Sequence, residues 1–266
     1  MIDTHCHLTY DGLHERVDNV IEAAKQNGVD RMITVGTTPN DAAKAVALAE
    51  RFDQVYATAG LHPGYSDNVT DHAALKAGLR KQLAHPRVVA VGEMGLDRHY
   101  PDPPMAKQRP AFAAQLELMN ELAEAGQVMP GVVHNREATD DTLAMIADHG
   151  VAGQRLVFHC FTGSVEEVER ILAIGAMVSF TGITTFKGAA SVAEASDRVP
   201  LDRLMIETDS PYLTPAPYRK VRTNEPKYVR YVAEFLARRR GMKVREFTAV
   251  VDANAERFFG LRVSTP

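Results

Sequence analysis

Two histidines one residue apart, His5 and His7, open the chain in MIDTHCHLTY. Four more residues of metal-ligating type close short β-branched runs: Glu93 in VVAVGE, His134 in VMPGVVH, His159 in LVFHC and Asp209 in LMIETD. Imidazole nitrogens and carboxylate oxygens in one set suit zinc or manganese, and magnesium with more water in its shell. A buried carboxylate without a charge partner is costly, and a cation compensates it. Side chains alternate along a strand, so His5 and His7 share a face and Cys6 points the other way. The same parity sets Cys160 opposite His159. Both cysteines therefore read as small buried apolar residues, and no Cys-rich framework for a structural zinc is present.

These residues act together only if the elements carrying them converge. Eight strand-like runs are legible, at 2–7, 31–36, 55–60, 88–93, 128–134, 156–160, 176–180 and 204–209. Between them lie amphipathic stretches such as HERVDNVIEAAKQNG, PNDAAKAVALAERF and SVEEVERILAIG, the last with Ser164 placed to cap it. The alternation predicts an α/β fold, a (β/α)8 barrel of the TIM type in a single domain over residues 1–266. A doubly wound open sheet is the rival arrangement. In a barrel the C-terminal strand ends face one mouth, where the six donors from five strands would meet. A long Pro-rich stretch, SPYLTPAPYRKVRTNEP (210–226), follows the eighth run, and a loop of that length is expected to be functional. Residues 226–259 read as helical.

Composition narrows the partners. Of the 266 residues 45% are hydrophobic and 24% charged, an ordinary globular profile, and the formal net charge is −4. A protein gripping long nucleic acid with its whole surface would be basic, so any nucleic-acid contact must be local. Two cysteines make no disulfide framework. No leader pattern precedes the first strand and no apolar run is long enough to span a bilayer, so the expected place is the reducing cytoplasm, away from membranes. No obligate protein partner is evident.

The segments MIDTHCHL, GLHPGYS, VGEMGLDRHY, PGVVHNREA, VFHCFTGS and IETDSPYLTP, in that order, resemble the TatD-type metal-dependent deoxyribonucleases, amidohydrolase-like TIM-barrel hydrolases. The likeness runs from Ile2 to the NAERFFGL segment at 254–261. It implies two divalent metal ions, with His5, His7 and Asp209 on one, His134 and His159 on the other, and Glu93 bridging. Two such ions lower the pKa of a water and clamp phosphoryl oxygens. Asp209 would also accept the proton of the attacking water, which makes Asp209 and Glu93 the catalytic candidates.

A phosphodiester also needs donors around its free oxygens. Arg136 and Arg222 are the favoured cations; Lys187 and Lys220 read as solvated charges. Asn224 would orient the long loop or touch substrate. His62 in GLHPG would act beside the ligands, on substrate, or as a cap. Tyr65 and Tyr212 offer faces for unpaired bases, and Phe161 and Phe186 do so or pack. The expected activity is hydrolysis of single-stranded DNA or DNA ends. The alternatives are a barrel hydrolase of small esters, amides or aminoacyl bonds, a non-catalytic metal-binding interaction protein, and a barrel with incidental histidines.

Overall fold

The computed structural model describes residues 1–261. All eight strand-like runs form strands, separated by helices: β1 (Ile2–Cys6), α1 (Val17–Gln26), β2 (Arg31–Thr34), α2 (Pro39–Arg51), β3 (Val55–Ala59), α3 (His72–Leu83), β4 (Val88–Asp97), α4 (Met105–Glu124), β5 (Gly131–Arg136), α5 (Thr139–Asp148), β6 (Leu156–Phe158), α6 (Val165–Ala173), β7 (Met177–Phe180), α7 (Ala190–Arg198), β8 (Leu204–Ile206), α8 (Val229–Arg239) and α9 (Val244–Phe259). The strands make one eight-stranded sheet in the order β1 to β8. Parallel strands joined by helices in that order define the (β/α)8 barrel class.

Packing divides the chain into two compact units, one of residues 1–34, 160–172 and everything from Met177, the other of Val35–His159 and Ala173–Ala176. In the first, β1 pairs with β2 and β7 with β8, both in parallel. The chain leaving β8 continues the ladder onto β1, where the Asp209 amide donates to the His5 carbonyl at 2.9 Å and the His7 amide to the Ser210 carbonyl at 2.8 Å. Leu8, Ile33, Val178, Phe180, Leu236 and Phe247 are buried in its core. In the second unit β3 to β6 pair in parallel order, and Leu79, Leu83, Met94, Phe112, Leu118 and Phe158 are buried. Two helices begin where the sequence supplies an acceptor: Thr38 caps α2 and Asp71 caps α3 through their side chains.

Several boundaries differ from the sequence reading. β4 runs on to Asp97, so Glu93 lies inside it rather than at its end. The register to β5 shifts between Val91 and Met94. Gly92, inside that interval, allows this: its φ is +123°, and a Cβ there would stand 2.5 Å from the Val132 carbonyl oxygen. Gly95, at φ +145°, lets β4 pass close to the His134 carbonyl oxygen, 2.0 Å from where its Cβ would be. β6 and β8 stop early, leaving His159 one residue beyond β6 and Asp209 three beyond β8. Helix α7 was not legible because its buried side chains, Val192, Ala193, Ala195 and Ser196, are mostly small and carry little apolar contrast. The C-terminal helical stretch splits into α8 and α9. Residues 210–224 form neither helix nor strand, as expected for a long loop. No helix among the described residues is long and apolar enough to cross a membrane.

Candidate metal centre

The first unit gathers His5, His7 and Asp209. The His7 Nε2 lies 3.2 Å from Asp209 Oδ1, and the His5 Nε2 lies 3.7 Å from the same oxygen. Donors bound about 2.0–2.2 Å from one tetrahedral ion stand roughly 3.3–3.6 Å apart, so this spacing fits a shared divalent cation. Both histidines are buried. Asp209 adopts a left-handed backbone, φ +53°, an unusual conformation for a residue with a Cβ. Asp3 holds this corner: its carboxyl takes the Thr208 amide at 2.9 Å and meets the Thr208 hydroxyl at 2.6 Å. Burial pushes the Asp3 carboxyl up to about 8, against the opposing pull of those two bonds.

The second unit builds its group around Glu93. Its Oε1 lies 2.8 Å from His159 Nε2, 2.9 Å from His134 Nδ1 and 3.4 Å from His62 Nε2. Burial works against the charged form of Glu93, but the imidazoles of His159, His62 and His134 outweigh it and hold the carboxyl well below its usual range. Glu93 is therefore ionised at neutral pH.

Hydrogen bonds from fixed donors assign the tautomers. The Gly64 amide can only donate, and it donates to His62 Nδ1 at 2.9 Å. A neutral His62 then carries its proton on Nε2, which lies 3.3 Å from His134 Nδ1. On the other side His134 Nε2 meets Asp97 Oδ2 at 2.9 Å. Burial works against the Asp97 carboxylate, but the bond from His134 and the amides of Tyr100 and His99 keep it ionised. It accepts the Nε2 proton, the carboxylate–histidine pairing that orients metal ligands, while His134 Nδ1 faces Glu93. His62, Glu93 and His134 are close enough together to hold an ion. The Gly64 bond nevertheless makes neutral His62 the hydrogen donor of the three.

The structure thus brings His5, His7 and Asp209 into one group, and Glu93, His134 and His159 into another. His62 takes two of its expected parts: it caps the short turn Pro63–Asn68 and stands beside the ligands. Asp97 was missed, although its place four residues after Glu93 in the same strand was a usable signal. Among the substrate candidates, Arg136 ends β5 with its guanidinium 5.2 Å over the Tyr100 ring, and Tyr65 is 38% exposed beside His62. Arg222, Lys187 and Lys220 are exposed. Asn224 is a correction: it is 0% exposed. Its amide is committed to the Thr208 and Tyr212 carbonyls at 3.1 and 2.5 Å, so it orients the loop and does not face substrate. Phe161 is buried against Phe180, which is packing. Cys6 is buried and donates to the Ile33 carbonyl, and Cys160 is only half-buried, less enclosed than its parity suggested.

A (β/α)8 barrel carrying two groups of histidines and carboxylates beyond or within its strands defines a metal-dependent hydrolase. The chain belongs to the TatD family: the model described as TatD related DNase matches residues 2–260. It is 37% identical to the "uncharacterized metal-dependent hydrolase YabD" of Bacillus subtilis over 259 residues, 97% of this chain and 98% of the relative. It is 33% identical to the "3'-5' ssDNA/RNA exonuclease TatD" of Klebsiella pneumoniae over 270 residues, covering 99% of both. The crystal structure of the Escherichia coli TatD homolog YJJV superposes with a TM-score of 0.90 at 27% identity, covering 98% of both chains.

Proposed function

We propose that the protein is a nuclease hydrolysing phosphodiester bonds in single strands or at strand ends, with two divalent ions, magnesium, manganese or zinc. His5, His7 and Asp209 would hold one ion, His134 and His159 the other, and Glu93 would serve both. When bound, the ions supply an activated water and neutralise charge developing on phosphoryl oxygens. The observation that carries this reading is Glu93: a buried carboxylate held ionised by three imidazoles is a ligand prepared in advance. Around it the chain does the rest. Asp97 fixes the tautomer of His134. In this reading His62, whose Nε2 lies beside His134 and Glu93, also contacts the substrate. Asp209 accepts the proton of the attacking water, and Arg136 and Arg222 neutralise the strand. The name of the Klebsiella relative supports a single-stranded substrate, and two free cysteines accord with a cytoplasmic location.

The test is hydrolysis of end-labelled single-stranded DNA with added magnesium or manganese, beside a panel of small esters, amides and aminoacyl substrates. Wild type should cleave the DNA, and chelated wild type and Glu93→Ala should not. Hydrolysis confined to the small substrates would refute the nuclease reading, and full activity of Glu93→Ala would refute the metal reading.

A further inference from the structure

Resting on the nuclease reading, we infer that the segment after Asp209 is a binding surface for unpaired nucleotides, with Tyr212 and Tyr218 as base platforms and Arg219, Lys220 and Arg222 as phosphate contacts. Between Asp209 and Glu225 the sequence SPYLTPAPYRKVRTN contains no acidic residue, although the whole chain carries a net charge of −4. Arg219, Lys220 and Arg222 are exposed. Among the described residues none of them is paired with a carboxylate. The Arg219 side chain instead donates to the Thr214 carbonyl and lies 3.5 Å over the Phe186 ring. This is positive charge without an internal counterpart, set in an otherwise acidic protein.

Aromatic rings accompany the charge. Tyr10 stacks on the candidate ligand His7 at 4.5 Å and 19°, and meets Tyr212 edge-on at 6.4 Å. Tyr212 is 54% exposed and Tyr218 is 38% exposed. Tyr218 is held from behind by Tyr228 at 5.2 Å and Tyr231 at 4.8 Å, with its hydroxyl 3.1 Å from that of Tyr231. Tyr10 and Tyr212 thus adjoin the candidate ligand His7, and Tyr218 and the cations lie further along the same loop. Bases stack on such faces regardless of sequence while cations track the phosphates. A duplex keeps its bases stacked on one another and cannot use the rings. An acidic peptide would satisfy the cations but leave the tyrosine faces idle.

The surface is also held in shape. Asn224 ties the segment to Thr208 and Tyr212, the Thr214 hydroxyl donates to the Val221 carbonyl, and the Ala216 amide donates to the Thr185 hydroxyl. A loop ordered before binding loses little entropy when a strand docks.

The experiment is fluorescence anisotropy of a labelled, phosphorothioate-linked oligothymidylate with metal-loaded protein at several salt concentrations. The variants are Lys220→Ala/Arg222→Ala, Tyr212→Ala and Tyr212→Phe, each checked for unchanged metal content and circular dichroism. The double variant should flatten the slope of log K against log salt by about 1.4, since each phosphate contact on a single strand contributes about 0.7. Tyr212→Ala should weaken binding about 5- to 100-fold and Tyr212→Phe should restore it. A slope and affinity equal to wild type in these variants would overturn the inference, as would tighter binding of a blunt duplex or of polyglutamate. If wild type cleaves single strands while the variants bind them unchanged, this surface alone is refuted; if metal-loaded wild type cleaves no nucleic acid, the nuclease reading falls.

Discussion

Replacing Asp3 by Asn should abolish a pH dependence of stability that wild type must show. Asp3 is fully buried two residues before His5, and among the described residues it bonds to Thr208 and the His5 amide. Burial, with the neighbouring Glu207 charge adding to it, moves its carboxyl from 3.8 to about 8. The folded protein therefore keeps a proton that the unfolded chain releases near pH 4. That retained proton contributes its full stabilisation below about pH 4. The contribution declines as pH rises and is gone above about pH 8. At 1.36 kcal/mol per pH unit the full effect is about 6 kcal/mol. Asn reproduces the protonated acid: its amide can donate to the Thr208 hydroxyl and its carbonyl can accept the Thr208 amide. The assay is urea unfolding of chelated wild type and Asp3→Asn from pH 5 to pH 9, compared as a difference so that the shared histidine titrations cancel. The two proteins should be within about 1–2 kcal/mol at pH 5, and the variant should gain several kcal/mol over wild type by pH 9. Parallel stability curves would refute the argument that this carboxyl is buried as an acid.

Three further outcomes follow from the geometry. Asp97→Ala frees His134 Nε2 and should lower metal affinity about 10- to 100-fold with the fold retained, read by competition with a fluorescent chelator. Gly95→Ala drives a methyl into the His134 carbonyl at a left-handed φ and should destabilise by about 2–4 kcal/mol in urea unfolding, with loss of bound metal. Cys6→Ala removes only packing and one weak bond to Ile33, so metal content should not change and stability should fall by about 1–2 kcal/mol.

The strands were legible because each is a short β-branched run bounded by turn residues, and every one of the eight formed. Boundaries shifted where the backbone departs from regular pleating. Glu93 read as a strand end because the run VVAVGE stops there, whereas β4 continues through Gly92 and Gly95, both at positive φ. That continuation carries Asp97 to His134, a contact no spacing rule for H-x-H could supply. The tautomer of His62 was not legible, since it depends on the Gly64 amide, a backbone group that carries no side-chain signature. For Asn224 the sequence left loop orientation and substrate contact both open, and the fold decides it by burying the amide against the Thr208 and Tyr212 carbonyls. Asp3 lay within the first motif and drew no notice, since an acid bonded to a threonine 205 residues away is visible only once β1 and the chain after β8 meet.

The most direct test of the account is the metal content of the purified, metal-loaded protein measured by atomic emission, for wild type, His5→Ala/His7→Ala and His134→Ala. The account predicts about two equivalents per chain in wild type and about one in each variant, with each remaining fully folded by circular dichroism. A single equivalent or none in wild type, or two equivalents retained in both variants, would contradict it.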